Sequence, residues 1–288
     1  ALGVGFFAGL KSSQPAMQST VDEYMRDNRM FDFQLMSSLG LTESDRAAFA
    51  QLDGVKYAEG AYGVDAMAAV GKTEEPYRFM SVTENVSVPL LVAGRMPETD
   101  GECLADAGAF SEKDIGKTVQ LSEDNDADTL DMFTSRSYKI VGIAKSPRYI
   151  SNDRGSTSLG SGSLKGFIIL PAAAFNSEVY HEILLYCNFD GALFSSEYDT
   201  ARDKLKPRIQ QLLNRCGARR YETLRAETNA KLADAQLEIN DGWDEYYANE
   251  SSALSQINDG LAQIEAAESE IEQNRAALDD AEKQLEDG

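Results

Sequence analysis

Histidine occurs once in this chain of 288 residues, as His181, tryptophan once, as Trp243, and cysteine three times, as Cys103, Cys187 and Cys216. No CxxC pair is present, and a structural zinc site takes about four Cys or His ligands at set spacings, so that chemistry is excluded. The GxSxG elbow of serine hydrolases is missing, which leaves His181 as the sole candidate base for nucleophilic hydrolysis. Beside Tyr180 and Glu182 in a strand-like run, it reads as a sheet residue rather than a catalyst. Gly160 and Gly162 lack the Gly-Lys-Ser/Thr that a phosphate loop needs. Asp124, Asp126 and Asp128 open like a calcium loop. However, Thr129 stands where glycine is required and Ser135 where the bidentate glutamate belongs, so the segment reads as an acidic turn. No pair of carboxylates is singled out for glycoside chemistry. The expectation is a chain that is not an enzyme and carries no cofactor, metal or catalytic residue.

Positive charge is also scarce. Lys and Arg number 27 against 48 Asp and Glu, a net charge of −21. Residues 223–288 hold four of the former and seventeen of the latter, so −13 of that charge lies in the last quarter of the chain. Nucleic acid and anionic lipid headgroups would repel such a surface, and nucleic acid is not an expected partner. Long apolar runs are absent too. The uncharged stretch ALGVGFFAGL at residues 1–10 is half of the roughly 20 residues that cross a bilayer. It reads as the end of a transmembrane helix cut part-way, with Lys11 at the water boundary. A signal peptide or a buried element start are the other readings. Gly3, Gly5 and Ala8 match GxGxxA, but no strand precedes them, so no dinucleotide site is inferred.

What is present is periodicity. Residues 17–30 have a helical pattern and Asp32–Met36 alternates as a strand does. Thr42 and Asp45 stand at N-cap spacing before a helix to about Leu52, which Gly54 ends. A strand run covers Val55–Val70. Much later, Tyr180–Phe189 predicts a strand and Tyr198–Cys216 an amphipathic helix closed by Gly217. The two β-α pairs suggest one sheet with helices on one face. Between them, Glu102–Ala105, Thr118–Leu121 and Tyr138–Ala144 are short strand runs in a Gly-, Pro- and Asp-rich stretch, and a Gly/Ser-rich loop spans Ser151–Lys165. The predicted fold class is α+β: residues 16–80 and 167–222 form a core subdomain, interrupted by a smaller β-rich subdomain at 81–166. In an extracellular setting Cys187 and Cys216 are candidates for a disulfide; the other reading is isolated buried thiols, with Cys103 buried in either case.

From Thr223 onward one helical pattern continues to the end. Ile257, Ile264, Ile271, Leu278 and Leu285 recur every seventh residue, joined by Leu254 and Leu261 on the neighbouring seam position, as in a coiled coil. Fully helical, the 66 residues from 223 would reach on the order of 100 Å. Gly242 and Gly260 each cost about 1 kcal/mol relative to alanine and mark expected weak points. Trp243, Tyr246 and Tyr247 form an aromatic cluster expected to pack against the core. A seam needs a second helix, either a returning segment of the same chain or another protein.

Three phrases carry a family resemblance: DFQLMSSLGLTESDRAAFAQLDGVKYAEGAYGVDA from Asp32, AGRMPETDGECLADAGAF from Ala93, and YKIVGIAKSPRYISNDRGSTSLGSGSLKGFIILPAAAF from Tyr138. In order, they resemble the extracellular domain of FtsX-like, MacB-type ABC transporter permeases. The acidic arm, with Asp-Gly at 241–242, 259–260 and 287–288, is similar to a coiled-coil insertion in one bacterial branch. The resemblance implies an extracellular module between the first two transmembrane helices, an α+β subdomain interrupted by a β-rich one, and a cell-membrane location. Its implied partners are a cytoplasmic ABC ATPase, a second permease protomer and an envelope protein at the arm. Residues 1–15 would then end the first transmembrane helix, and 223–288 would be the coiled-coil arm. ATP-driven motion would be transmitted outward, with no active-site residue to transfer. The alternative reading is a secreted or surface coiled-coil scaffold or adhesion protein.

Overall fold

The computed structural model describes residues 17–286, with side chains to residue 283; the stretch read as a membrane helix end lies outside them. The chain forms two compact units, Ala1–Tyr221 and Glu222–Gly288. In the first, a helix α1 at 17–27 precedes β1 (Phe33–Leu41), α2 (Glu43–Ala50) and β2 (Val55–Ala61). Seven strands follow: β3 (Gly63–Val70), β4 (Thr73–Ser81), β5 (Leu90–Gly94), β6 (Glu102–Asp106), β7 (Thr118–Leu121), β8 (Ser137–Lys145) and β9 (Gly166–Leu170). A short helix α3 (Ala127–Asp131) sits between β7 and β8, and β10 (Tyr180–Cys187) and α4 (Ser196–Glu286) close the order.

The three-stranded sheet has the order β1-β10-β2, antiparallel throughout. Its central strand is buried on both faces because alternate residues serve different neighbours. Ile183, Leu185 and Cys187 meet Phe49 of α2 and Leu205, Ile209 and Cys216 of α4, while Leu184 packs with Ala61 and Val86 on the other side. Phe49 alone, with no exposed surface, contributes roughly 1.5–3 kcal/mol by burial. The capping box expected at Thr42 is formed: Thr42 N–H donates to Asp45 Oδ2 at 2.8 Å, and Asp45 N–H donates to Thr42 Oγ1 at 3.2 Å. Gly54, at φ +95°, turns the chain after α2.

The seven-stranded sheet runs β5-β8-β6-β9-β4-β3-β7, and β7 also pairs with β8. Six of its strands therefore close into a small barrel, with β5 added on the free stretch of β8. Ala66, Ala68, Phe79, Val119, Tyr138, Ile140 and Ile168 fill the interior. Period-two alternation along β8 breaks at Val141, where the register with β6 slips. At that bulge β8 exchanges one neighbour, β7, for another, β5. Gly142 is required there, since a Cβ would lie 2.5 Å from the Arg95 carbonyl oxygen.

Three expectations are corrected here. The strand run Val55–Val70 is two strands in different sheets, and β3, β4 and β9, which were placed wholly or largely in the core subdomain, are barrel strands. The exchange of sheets occurs at Tyr62, where one residue separates β2 from β3. Gly217 does not end its helix; α4 is one helix through Gly217, Gly242 and Gly260, none of which is followed by proline, and each glycine costs the helix only about 1 kcal/mol. Asp126 of the acidic turn serves as N-cap of α3, accepting from Thr129 N–H at 2.7 Å.

In the second unit α4 is a single exposed helix. Leu254, Ile257, Leu261, Ile264, Ile271 and Leu278 are between 53% and 65% exposed. Leu285 lies outside the described side chains. Trp243, Tyr246 and Tyr247, expected to be packed, are exposed and touch one another, with ring centroids 5.6–6.0 Å apart.

Candidate functional site

The sheet exchange at Tyr62 creates a joint between the three-stranded sheet and the barrel, and the densest polar network of the first unit lies on it. Tyr62 N–H donates to Ser81 Oγ at 3.0 Å and its hydroxyl donates to the Ser177 carbonyl at 3.2 Å. Its ring stacks on Phe175 at 5.1 Å and lies near Tyr180 at 5.5 Å. Both chain crossings between the two sheets are thereby tied to one aromatic side chain.

Two carboxylates of the sheet reach across the joint. Glu182 on β10 is 4% exposed and receives two bonds from Arg148, which follows β8, at 2.6 and 2.9 Å. Gln34 of β1 donates to the same carboxylate. The Arg148 guanidinium also lies over the Phe31 ring, 5.7 Å from its centroid. A planar guanidinium matched to both carboxylate oxygens fixes orientation as well as distance. Glu59 on β2 makes the second tie, accepting from the consecutive amides of Glu84, Asn85 and Val86 at 2.6, 2.9 and 2.8 Å. Those amides belong to the loop between β4 and β5.

Within the barrel, the long Gly/Ser-rich loop is pinned by an ion pair. Arg154 donates to Asp106 through Nε at 2.5 Å and Nη2 at 2.9 Å; their side chains are 9% and 1% exposed. Tyr149 and Phe167 flank the guanidinium, 5.3 and 5.7 Å away. Gly108 N–H donates to Asp106 Oδ1 at 2.8 Å. The Ser151–Lys165 loop is therefore tied to β6 through Asp106.

The third anchor is the stretch of α4 from Cys216 to Arg220. Burial raises the Asp45 carboxyl, but its bonds to Thr42, Cys216 and Arg219 outweigh that and hold it below the ordinary carboxylate range. Arg219 pairs with Asp45, and Arg220 donates to the Leu39 carbonyl at 3.4 Å. This places the α2 cap and α4 in one network. Cys187 and Cys216 do not form the disulfide considered from the sequence: both are buried free thiols of the same apolar cluster, and Cys103 is a third inside the barrel. Each fills a packed slot, and the Cys216 thiol engages Asp45 instead. Burial pushes all three thiols up, Cys216 to about 11 with Asp45 adding to it. We expect a thiol reagent at a pH of about 8.5, where a free thiol is half ionised, to label none of them rapidly until denaturant is added. Fast native labelling would show that the cluster opens.

His181 lies on the joint, where its Nδ1 accepts from Gly63 N–H at 3.1 Å and its ring meets Tyr62 edge-on at 5.8 Å. Among the described residues, no group of three or more His, Cys, Asp or Glu is gathered to hold a metal ion. Also among them, no helix is long and apolar enough to cross a membrane. The six described seam residues share only the exposed helix of the second unit. The ties at Glu59, Glu182 and Asp106 were missed from the sequence. Their partners are 25, 34 and 48 residues away, and a lone Glu or Asp in a strand gives no signal of the residue it meets.

No family model matches the chain, and no curated protein matches it. Solved structures similar to it include the extracellular domain of the noncanonic ABC-type transporter YknZ from Gram-positive bacteria. That likeness has a TM-score of 0.36 and 15% identity, over 62% of this chain and 84% of that one. The periplasmic region of MacB from Actinobacillus actinomycetemcomitans is similar at a TM-score of 0.37 and 14% identity, over 62% of this chain and 76% of that one.

Proposed function

We propose that this chain is the extracellular portion of a bacterial ABC-type permease, acting without chemistry of its own to carry ATP-driven motion toward the outer side of the envelope. The observation that carries the reading is the interrupted sheet. A barrel is inserted between β2 and β10, and buried charges tie it back to both strands. The three phrases that resemble FtsX-like, MacB-type permeases run in order across this same architecture. A body tied at Tyr62, Glu59 and Glu182 passes on displacement instead of absorbing it. In this reading residues 1–15 end a membrane helix, a cytoplasmic ATPase and a second permease protomer are partners, and the arm from 223 pairs along its seam with another helix, its own returning segment or an envelope protein.

The test is made in the full-length permease with its ATPase. Removing residues 232–288 is expected to leave ATP hydrolysis running while the transport phenotype is lost. If hydrolysis and phenotype both stay normal, the arm has no part in coupling. The exposed seam favours one second reading, a surface scaffold that oligomerises through the helix. A stable dimer or trimer of residues 1–288 that dissociates on Ile264→Lys would support it against the permease reading.

A further inference from the structure

His181 stands at the point where the two sheets exchange chain, and it is the only histidine in the sequence. Gly63, its partner, is the first residue of β3 and thus of the barrel, whereas His181 belongs to β10 of the three-stranded sheet. The bond is a backbone N–H donated to Nδ1 at 3.1 Å. A ring nitrogen accepts only when it carries no proton, so this contact requires a neutral imidazole with its hydrogen on Nε2. We propose that His181 is a pH-sensitive fastener: neutral, it holds the first residue of the barrel against the sheet, and protonated, it releases it.

The surroundings set the sense of the switch. His181 lines a small cavity together with Arg78 of β4, Arg148 from beyond β8, Gln34 of β1 and Glu182 of its own strand. Glu182 is already committed to Arg148. Arg78 is near Asp65 of β3, Nε to Oδ1 at 2.9 Å, but the two atoms are misaligned for a hydrogen bond and neither has another partner. Tyr62 presents its ring edge-on to the imidazole. A proton on His181 would therefore be a third cation beside two guanidiniums, competing for a carboxylate already taken. Burial is the largest influence on the His181 imidazole and holds its pKa below the ordinary value.

Since the folded pKa lies below the unfolded one, the stabilisation is complete above the ordinary imidazole value of about 6.5. It is lost as pH falls from there through the folded value, because the unfolded chain binds the proton more readily. Below the folded value, the neutral fraction drops about tenfold per pH unit. The hydrogen-exchange protection factor of the Gly63 amide should fall by the same factor.

The experiment is an NMR titration of the labelled protein between about pH 5 and 8, the range in which imidazole titrates. With one histidine, the ring signals need no assignment. We expect ring nitrogen shifts of the Nε2–H tautomer, a midpoint below about 6.5, and a Gly63 amide that moves with that same midpoint. In His181→Asn, whose Oδ1 offers an acceptor near the Nδ1 position with nothing to titrate, the Gly63 amide should be pH-independent. An Nδ1–H tautomer, an unshifted or raised midpoint, or a Gly63 amide that still titrates in His181→Asn would overturn the proposal. The tautomer and the shared midpoint decide it in the native protein even if the variant does not fold.

Discussion

An Asp106→Leu variant is expected to lose about 3–5 kcal/mol of unfolding free energy, the largest loss from one side chain outside the apolar core. The carboxylate is 1% exposed and the Arg154 guanidinium 9%, so removing one leaves the other as an uncompensated charge away from water. Leucine also takes away the acceptor of Gly108 N–H. The loss comes mainly from the stranded partner and not from the attraction itself, which follows from the cost of desolvating two ions. The double variant Asp106→Leu/Arg154→Met should therefore regain most of it, because methionine can lie against the Tyr149 and Phe167 rings without a charge to solvate. Denaturant titrations with an unchanged slope give both numbers. If the double variant is no more stable than Asp106→Leu, the pair is holding the loop by geometry that an apolar contact cannot replace. If Asp106→Leu costs less than about 1 kcal/mol, the figure for an exposed pair, the charges are hydrated and the loop is not pinned.

This pair also marks the boundary of what could be read in the sequence. Local chemistry was legible: Thr42 and Asp45 are three residues apart, and their capping box forms as the spacing requires. So was the strand run Tyr180–Phe189, which supplies the central strand between β1 and β2. The two-sheet exchange was not. Val55–Val70 runs through Tyr62 without a proline or a turn dipeptide, so nothing in the residue types marks a corner made by a single residue. The barrel was legible as a β-rich insertion but not as a closed one, since closure depends on β7 meeting β8 and on the slip at Val141, neither of which has a composition signal. Gly217 misled because a glycine after an amphipathic helix is the commonest stop. Its cost of about 1 kcal/mol is small beside the propensity of the residues that follow. The seam is a pattern of the sequence, and the structure adds that its six described residues are exposed.

A Glu182→Leu variant tests the joint itself. Its carboxylate is 6% exposed and Arg148 17%, so the stranded guanidinium has a partial route to water, and a loss of about 3 kcal/mol is expected, at the lower end for a broken buried pair. Glu182→Gln should cost less, because its amide oxygen still accepts one of the two Arg148 bonds, although its NH2 then faces the other donor. Glu59→Ala is the useful comparison. It empties the acceptor of three amides, but Glu84 and Asn85 are exposed and take water in its place, leaving the Val86 amide as the one that matters. Its cost should be about 1–2 kcal/mol. The two ties hold different segments, Arg148 after β8 and the loop after β4. If each fixes the barrel independently, the Glu59→Ala/Glu182→Leu double variant will lose the sum. If they hold it as one body, the loss will fall short of the sum, since once one tie is gone the other no longer sets the joint. Rigid transmission, as proposed above, requires the second result, and on the proposed permease reading ATP hydrolysis would continue while the transport phenotype declines. A purely additive loss, with phenotype and hydrolysis both intact, would mean that the sheet and barrel are two separately stable parts and that motion passes by another route.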